Sequence, residues 1–385
     1  MTPAARVQAS IEILDDVLDG MPVEKALTGW ARRSRFAGSK DRAAVRDHVF
    51  DAVRCKRSFA ALGGANTGRG LMIGAIRSVR GDLATLFSGD RHAPSPVQES
   101  ETSEDFTSDA ERFDIPDWLW PRFSASLGDE AIPAAQSLQT RAAVHLRVNS
   151  LKADVAAAMQ ALEADGIRAC PHPACDTALE VTEGARKISQ SRAYADGLVE
   201  LQDAASQAVV AALDLKSGMR VLDYCAGGGG KALALAAQKG VSVYAHDVNA
   251  GRMRDLPSRA ARAGAKISLL TSQEVTDAPP FDIVLGDAPC SGSGAWRRAP
   301  AGKWALTEER LQDLTAIQAR ILTQIMPLVG AQGTLAYATC SMLDDENRAV
   351  VDGILERNSV WWEVFRKSWL LTHGTDGFFT AHLTR

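Results

Sequence analysis

From about residue 197 onward, short apolar runs alternate with segments that have helical spacing. The runs are MRVLDYC (219–225), VSVYAHD (241–247), ISLL (267–270), FDIVLGD (281–287) and TLAYATC (334–340). Apolar strands that alternate with helices predict a parallel, doubly wound α/β sheet. Ligands of such sheets bind at the carboxyl ends of the strands. The polar residues that follow these runs are therefore the candidate site.

The beginning of the chain has a different pattern. Apolar residues recur at helical spacing in two stretches, as Val7, Ile11, Leu14 and Leu18 and then as Val45, Val49, Phe50 and Val53. This periodicity predicts an all-α domain over residues 1–87.

Two further segments precede the α/β domain. Residues 88–112 are polar, acidic and poor in apolar side chains, which predicts a flexible linker. Residues 113–196 contain a candidate strand, LRVNS, and a candidate helix from about Ala153 to Ala164, so we expect a small α+β connecting domain. The α/β domain then occupies residues 197–385.

Cysteine usage and hydropathy indicate a cytoplasmic protein. Six cysteines scattered over 385 residues do not form the dense set of a disulfide framework. No apolar run is long enough to predict a membrane span, and the first residues lack the pattern of a signal peptide. We expect a monomer without membrane contacts.

Charge is distributed unevenly along the chain. The net charge is −4, yet from Arg32 to Arg57 there are nine Lys/Arg against three acids. Such segregation can present a basic face to nucleic acid, and the simpler interpretation is a solvated helix surface. Four candidate phosphate contacts are expected on exposed helix faces: Arg42, Arg46, Arg54 and Arg57. Two further candidates are Arg297 and Arg298.

A glycine-rich turn follows the first strand of the α/β domain. In VLDYCAGGGGKALALA the glycines permit a tight turn, and the start of the next helix offers free N–H groups to a ligand. Asp247 ends the next strand, where an acid can accept hydrogen bonds from ribose hydroxyls. The pattern predicts a nucleotide-type cofactor, either a dinucleotide or S-adenosylmethionine (SAM).

Two cysteines lie at the ends of neighbouring strands. Asp287 and Cys290 follow FDIVLGD, and Thr339 and Cys340 close TLAYATC. In a doubly wound sheet these ends face one cleft beside the glycine-rich turn, which favours a chemical role over two inert buried thiols. We expect no metal there, because no further cysteine or histidine lies nearby at ligand spacing.

A second pair, Cys170 and Cys175, brackets His172 in CPHPAC. A zinc site of this type needs a second half elsewhere in the chain, and the sequence offers none. The motif therefore predicts a loop, and the sequence as a whole predicts no metal.

Taken together, the motifs resemble those of the Sun/Fmu (RsmB-like) family of RNA cytosine-5 methyltransferases, which is related to the NSUN enzymes. The core motifs are CAGGGGK (225–231), DAPCSGSGAWRRAP (287–300), YATCSMLDDEN (337–347) and DGFFTAHL (376–383). DRAAVRDHVFDAVRCKRS is similar to the family's NusB-like RNA-binding domain, and LRVNSLK and VELQDAASQ to its connecting region. The resemblance implies a Rossmann-like class I methyltransferase domain, SAM as cofactor and 16S rRNA as substrate.

The resemblance also implies roles for single residues. Cys340 is the implied nucleophile, whose thiolate adds to C6 of cytosine and makes C5 nucleophilic. Cys290 is implied to assist release of the methylated product, and Asp287 is placed to hydrogen-bond the cytosine edge as an acid. The implied SAM contacts are Cys225, Ala226, Gly227, Gly228, Gly229, Gly230, Lys231, Asp247, Ser272 and Asp287.

Two positions depart from the family pattern. Gly227-Gly228 replace an Ala-Pro pair, and Ser272–Gln273 stand where an acid is expected to contact the adenine side. These departures leave open a non-catalytic RNA-binding factor in ribosome assembly. The motifs also leave open tRNA as the substrate, and the glycine-rich turn taken alone would fit a nicotinamide-dependent oxidoreductase.

Overall fold

The computed structural model describes residues 1–385. Two compact units divide the chain: Met1–Arg141 with Trp296–Ala305, and Ala142–Ala295 with Leu306–Arg385. A short segment from the C-terminal part of the sequence thus belongs to the first unit. No helix combines the length and the apolar character needed to cross a bilayer.

The first unit is helical, as its periodicity predicts. Its helices are α1 (Pro3–Leu18), α2 (Val23–Arg33), α3 (Ser39–Arg54), α4 (Lys56–Gly63), α5 (Gly68–Ser78), α6 (Leu83–Leu86), α7 (Asp109–Arg112), α8 (Trp120–Leu127), α9 (Ala131–Leu138) and, from the later segment, α16 (Ala301–Ala305). Thr2 caps α1 by accepting a hydrogen bond from the Ala5 N–H group, and a proline occupies the first turn. The predicted stripes of α1 and α3 meet in one core, in which Val7, Leu14 and Val49 are buried.

Residues 88–112, which composition predicts to be a flexible linker, are packed within the first unit instead. The Arg69 guanidinium binds the Glu101 carboxylate and donates to the carbonyl oxygens of Ser95 and Pro96. Arg77 donates to the carbonyl oxygen of Glu101. The acidic composition predicted a solvated segment, but Arg69 and Arg77 of α5 form hydrogen bonds with it. The compact first unit extends through this segment to Arg141.

A buried carboxylate joins three parts of the first unit. Asp114 accepts hydrogen bonds from the backbone N–H groups of Arg57 and Ser58 (2.8 and 2.9 Å), from the Ser58 hydroxyl and from the Gln139 amide. Its own backbone is left-handed, with φ of 58°. Burial raises the pKa of Asp114. The carboxylate thus connects the start of α4 with the residue that follows α9.

The second unit contains all the strands. They are β1 (Val144–Val148), β2 (Arg168–Pro171), β3 (Ala178–Glu183), β4 (Val199–Leu201), β5 (Arg220–Asp223), β6 (Ser242–Ala245), β7 (Ile267–Leu269), β8 (Phe281–Asp287), β9 (Val329–Thr339), β10 (Trp362–Trp369) and β11 (Phe378–Thr384). Its helices are α10 (Val155–Ala164), α11 (Arg192–Ala195), α12 (Ala204–Ala211), α13 (Gly230–Ala236), α14 (Leu256–Ala263), α15 (Ser272–Asp277), α17 (Glu308–Ile325) and α18 (Arg348–Arg357).

These strands form two sheets. The smaller sheet has the order β2-β3-β1-β4, with the β2–β3, β3–β1 and β1–β4 pairs antiparallel. The larger sheet has the order β10-β11-β9-β8-β5-β6-β7 and is parallel from β9 to β7. The predicted doubly wound α/β sheet is confirmed.

The larger sheet also carries two strands that the apolar runs do not predict. Strands β11 and β10 add antiparallel to β9, so the sheet is mixed rather than fully parallel. Strand β10 has an alternating, largely exposed sequence at the sheet edge, and β11 buries the polar side chains of Thr380 and His382. Neither sequence has the continuous apolar character by which we predicted the inner strands.

The strand order creates a crevice in the larger sheet. Strand β5 pairs with β6 on one side and with β8 on the other. The strand order therefore runs from β5 outward to β7 and then reverses, since β8 and β9 are added on the other side of β5. A ligand site is expected outside the carboxyl ends of the strands at such a reversal. The glycine-rich turn follows β5, and the two cysteine motifs follow β8 and β9.

We expect Asp114→Ala to lower the free energy of unfolding by about 2–4 kcal/mol, because the amides of Arg57 and Ser58 lose their charged acceptor. Urea unfolding of the full chain, followed by circular dichroism, measures the change. Asp117→Ala is the matched control: this exposed acid also contacts Arg57, but only through a surface ion pair, so its loss costs less than about 1 kcal/mol. Equal losses in the two variants would contradict the role of Asp114.

Candidate active site

The glycine-rich turn between β5 and α13 depends on two left-handed residues. Gly227 has φ of 52° and Gly229 has φ of 81°, a region that favours glycine. A Cβ atom on Gly229 would also lie 2.2 Å from Leu256 Cδ1. The left-handed backbone favours glycine at both positions, and Leu256 leaves no room for a side chain at Gly229. The Gly227 departure from the family pattern is therefore compatible with an ordered turn.

Asp247 follows β6 and reaches back to this turn. Its Oδ2 accepts a hydrogen bond from the Gly227 N–H group at 3.0 Å, and its Oδ1 accepts one from the Asn249 N–H group at 2.9 Å. The Arg252 guanidinium lies 3.1 Å from Oδ2, and its side chain is half-exposed. The structure thus brings the predicted acid and the predicted turn together.

A cavity of about 600 Å³ opens beside Asp247 and is lined by Cys225, His246 and Ser272 among others. His246 Nδ1 lies 2.8 Å from the Tyr224 carbonyl oxygen, which can only accept, so Nδ1 carries the proton. His246 Nε2 therefore accepts from the Ser272 hydroxyl at 2.9 Å. Because that hydroxyl donates inside the protein, Ser272 has only acceptor lone pairs left for a ligand.

His246 was not predicted from the sequence. It immediately precedes Asp247, and it is buried beneath the cavity wall. The sequence offered one indication of a role for His246, namely its position next to Asp247, the candidate for binding ribose. The structure gives it a positioning role, since it orients Ser272, which the family resemblance places among the cofactor contacts.

Carboxylates dominate the electrostatics of the turn. Burial, and then the charges of Asp223, Asp287 and Asp247, raise the pKa of the Cys225 thiol, so all three carboxylates act on this point. Asp223 is buried, its oxygens have no hydrogen-bond partner of good geometry, and burial followed by repulsion from Asp287 raises its pKa to about 7. An anionic pocket suits the sulfonium and ammonium groups of SAM better than the pyrophosphate of a dinucleotide.

Lys231 and Asp287 form an ion pair across the crevice. Lys231 Nζ, on α13, lies 2.8 Å from Asp287 Oδ2 at the end of β8, and the lysine is buried. Its ammonium also lies 4.9 Å from the ring centroid of Phe378. Burial by itself lowers the pKa of Lys231, but Asp287 and then Cys340 and Asp223 outweigh it, and the net direction is upward.

The two candidate cysteines are in contact. Cys290 Sγ and Cys340 Sγ lie 3.4 Å apart, and both thiols are free. They meet because β8 and β9 are paired parallel strands in which Asp287 lies opposite Ala338. The structure thus brings the two strand ends, and with them the two thiols, together.

The surroundings of Cys290 disfavour its thiolate form. The hydrogen bond with Cys340, then burial and the charges of Cys340 and Glu346, raise the pKa of Cys290 well above that of an ordinary thiol. A raised pKa makes Cys290 the poorer candidate for attack, because the thiolate is the form that attacks an electrophile.

A buried carboxylate fixes both cysteine loops. Glu346 is fully buried and accepts hydrogen bonds from the Ser291 N–H group (2.7 Å), the hydroxyls of Ser291 and Ser341, and the Gln318 amide (3.0 Å). Ser291 follows Cys290, and Ser341 follows Cys340. Glu346 lies in the MLDDEN part of the motif, but its role as a positioning residue was not predicted, because it depends on contacts between distant segments.

The predicted phosphate-binding arginines do not all reach the surface. The expectation of an exposed face is wrong for Arg54, which is buried, donates to the Arg297 carbonyl oxygen and pairs with Asp51. The Arg297 side chain is also buried, so in this structure it does not reach a phosphate. Arg54 lies on the core side of α3, and Arg297 belongs to the segment that packs into the first unit.

The other arginines have protein partners at the surface. Arg46 forms two hydrogen bonds with Glu24, Arg57 binds Asp117, and Arg42 donates to the Ala37 carbonyl oxygen. Arg298 is exposed. Arg298 and the other arginines belong to the first unit, whereas the cysteine pair belongs to the second.

Models of known families match two parts of the chain. Residues 210–384 match the 16S rRNA methyltransferase RsmB/F, and residues 115–187 match the ferredoxin-like domain of RsmF/B-like methyltransferases. Ribosomal RNA small subunit methyltransferase B of Salmonella arizonae is 33% identical over 290 residues, covering 74% of this chain and 67% of that protein. The protein of the same name from Citrobacter koseri is 32% identical, with the same coverage.

Solved structures share the fold. The crystal structure of PH0851 aligns with 100% of this chain and 99% of its own, with a TM-score of 0.78 and 23% identity. A methyltransferase homolog protein from Pyrococcus horikoshii has a TM-score of 0.63 and 25% identity over 71% of this chain and 96% of its own. NSun6 from the same organism, solved with the SAM analogue SFG, has a TM-score of 0.62 and 17% identity over 70% and 98% of the two chains.

We expect Asp247→Ala to weaken SAM binding at least ~10-fold, because the acceptor for ribose hydroxyls and for the Gly227 N–H group is lost. Isothermal titration calorimetry measures the affinity, with NAD as a ligand that should not bind. Asp255→Ala, which removes an exposed acid from the same region, should leave the affinity unchanged. Full SAM affinity in the Asp247 variant would contradict the placement of the cofactor.

Proposed function

We propose, because this chain belongs to the RsmB/F family of 16S rRNA methyltransferases, that it methylates carbon 5 of a cytosine in 16S rRNA through a covalent adduct with Cys340. The 3.4 Å contact between Cys290 and Cys340 carries this proposal. Two thiols held together over an anionic cofactor pocket fit a reaction that needs one nucleophile and one proton-transfer group.

Cys340 is the proposed nucleophile. Its sulfur forms a bond to C6 of the cytosine, and the electron pair of the C5–C6 double bond becomes available at C5. SAM, when bound, supplies the methyl group. The C5 proton then leaves to a base, its electron pair restores the C5–C6 double bond, and the bond between C6 and sulfur breaks. Methylated cytosine and the free thiolate result.

Cys290 is the proposed base for release of the product. While Cys340 is free, its hydrogen bond and charge keep Cys290 protonated. After Cys340 has become a neutral thioether, both of these causes of the raised pKa disappear, and Cys290 can ionise more easily. A thiolate formed at this moment, close to the adduct, is suited to remove the C5 proton.

Asp287 and Lys231 would hold the cytosine edge. Asp287 closes β8 three residues before Cys290, and its partner Lys231 carries a positive charge within electrostatic reach of Cys340. The carboxylate can accept from the exocyclic amine of cytosine, and the ammonium can stabilise negative charge that develops on the ring. The pair would thereby favour both cytosine over uracil and the addition step.

The proposed RNA contacts are limited to arginines at the surface. Arg46 and Arg298 are exposed on the first unit, so a phosphate can reach each side chain without any change in the packing of the core. Arg42, which is also exposed, and Arg57, which is partly accessible, remain proposed contacts. The buried Arg54 and Arg297 do not.

Cys340→Ser is expected to abolish methyl transfer, with a loss of at least ~10³-fold, because a serine hydroxyl is not appreciably ionised near neutral pH. Transfer of labelled methyl groups from SAM to 16S rRNA, with 5-methylcytosine identified by mass spectrometry, measures the activity. Cys170→Ser, at an exposed cysteine, is the control and should keep full activity. Activity at the wild-type level in the Cys340 variant would remove it as the nucleophile.

Cys290→Ser is expected to form the adduct but to release it slowly, so that a protein–RNA complex survives denaturing electrophoresis. The complex should require SAM and should be missing from the double variant Cys290→Ser/Cys340→Ser, because the covalent bond is made by Cys340. If the single variant turns over normally without an adduct, Cys290 has no role in release.

A further inference from the structure

Three potential metal ligands converge on the smaller sheet, away from the cysteine pair. They are His145, His172 and Glu180, and the ligand atoms that they offer all lie within 4.8 Å of one another. Both histidines are buried, and their ring centroids are 4.9 Å apart. The cluster lies entirely within the second unit.

Pairing in the smaller sheet brings these residues together. His145 on β1 and Glu180 on β3 are directly opposite each other in an antiparallel pair, so their side chains lie on the same face. His172 follows β2, and its backbone N–H group donates to the Ala178 carbonyl oxygen at 2.9 Å. Three separate segments of chain therefore supply the cluster.

His145 has one nitrogen without a partner. Its side chain is fully enclosed. Its Nδ1 lies 2.9 Å from Asp203 Oδ2 and 3.3 Å from the Ala204 backbone nitrogen. The carboxylate can only accept, so the shorter contact assigns the proton to Nδ1 and leaves a lone pair on Nε2. That Nε2 atom is buried and has no hydrogen-bond partner. A buried lone pair with no donor is unfavourable unless a ligand occupies it.

Asp203 orients this histidine firmly. Besides His145, it accepts hydrogen bonds from the N–H groups of Ala205 (2.8 Å) and Asp376 (3.2 Å). A carboxylate behind a histidine, with the far nitrogen free, is the arrangement that holds histidine ligands in metalloproteins. The outer partner of a metal ligand is therefore already in place.

We propose that His145, His172 and Glu180 bind a divalent transition-metal cation, with Zn²⁺ as the best match. Two imidazole nitrogens and one carboxylate oxygen are ligands that zinc accepts, with water in the fourth position. Tetrahedral bonds of about 2.0–2.2 Å place ligand atoms roughly 3.4 Å apart, so the side chains close inward by small rotations. Ala174 donates its N–H group to His172 Nδ1 at 3.2 Å, and a metal bound through Nδ1 would replace this hydrogen bond.

Such a metal would be structural. It would clamp β1, β3 and the chain after β2, and through Asp203 it would reach the start of α12 and the segment before β11. The metal would therefore stabilise the second unit without touching the cysteine pair. The CPHPAC spacing did not predict this site, since its cysteines are not the partners of His172.

The test uses the full chain, stripped with a chelator and titrated with Zn²⁺ by calorimetry. We expect one Zn²⁺ per chain and a higher midpoint of thermal unfolding. Glu180→Gln and His172→Gln should each weaken binding at least ~100-fold and cancel the stabilisation. Glu183→Gln, an exposed acid on the same strand, is the matched control and should bind like the wild type.

Co²⁺ identifies the ligands by absorption. The proposed site gives tetrahedral visible bands without a thiolate-to-metal band. A protein that binds no Zn²⁺, or a Glu180→Gln variant that binds as tightly as Glu183→Gln, overturns the proposal. So does a thiolate band from Co²⁺ at one-to-one stoichiometry, because the metal would then lie on the cysteines. If His172→Gln fails to fold, Glu180→Gln decides the outcome.

Discussion

The parallel pairing of β8 with β9 sets the geometry on which the active site depends. Parallel strands end at the same edge of a sheet, so residues that follow them are neighbours although fifty positions separate Cys290 from Cys340 in the sequence. Pairing alone would leave two loops free to diverge. The buried Glu346 prevents this, because its carboxylate accepts hydrogen bonds from the residue after each cysteine. The hydrogen bonds of Glu346 to both loops thus stabilise the 3.4 Å contact between the thiols.

Charge complements this arrangement. Asp223, Asp247 and Asp287 surround the glycine-rich turn, and Lys231 balances the one nearest the cysteines. A cation is therefore favoured beside the turn, while the positive charge of Lys231 acts on Cys340, the proposed nucleophile. The Ser272 departure from the family pattern fits the same scheme, because its hydroxyl donates a hydrogen bond to His246 and keeps its acceptor lone pairs for the cavity.

Burial of a charged side chain also explains why the predicted basic surface of the first unit was wrong at Arg54. A run of arginines and lysines suggested a basic surface, but Arg54 lies in the core of the first unit beside Lys303 of α16. Lys303 donates to the Arg54 carbonyl oxygen at 3.0 Å, and burial lowers the pKa of Lys303 to about 8. Sequence spacing shows which helix face a residue occupies, but not which face a distant segment will cover. The segment Trp296–Ala305 covers this one.

The sequence by itself determined the α/β sheet, the glycine-rich turn, the acid after β6 and the two cysteines, because each is a local pattern at a strand end. It also determined the helical first unit through the periodicity of α1 and α3. Tertiary structure decided what depends on contacts between distant residues: the antiparallel β10 and β11, the inclusion of residues 88–112 in the first unit, and the positioning roles of His246 and Glu346. It alone brought His145, His172 and Glu180 to one point, because register between strands, and not spacing along the chain, places them there.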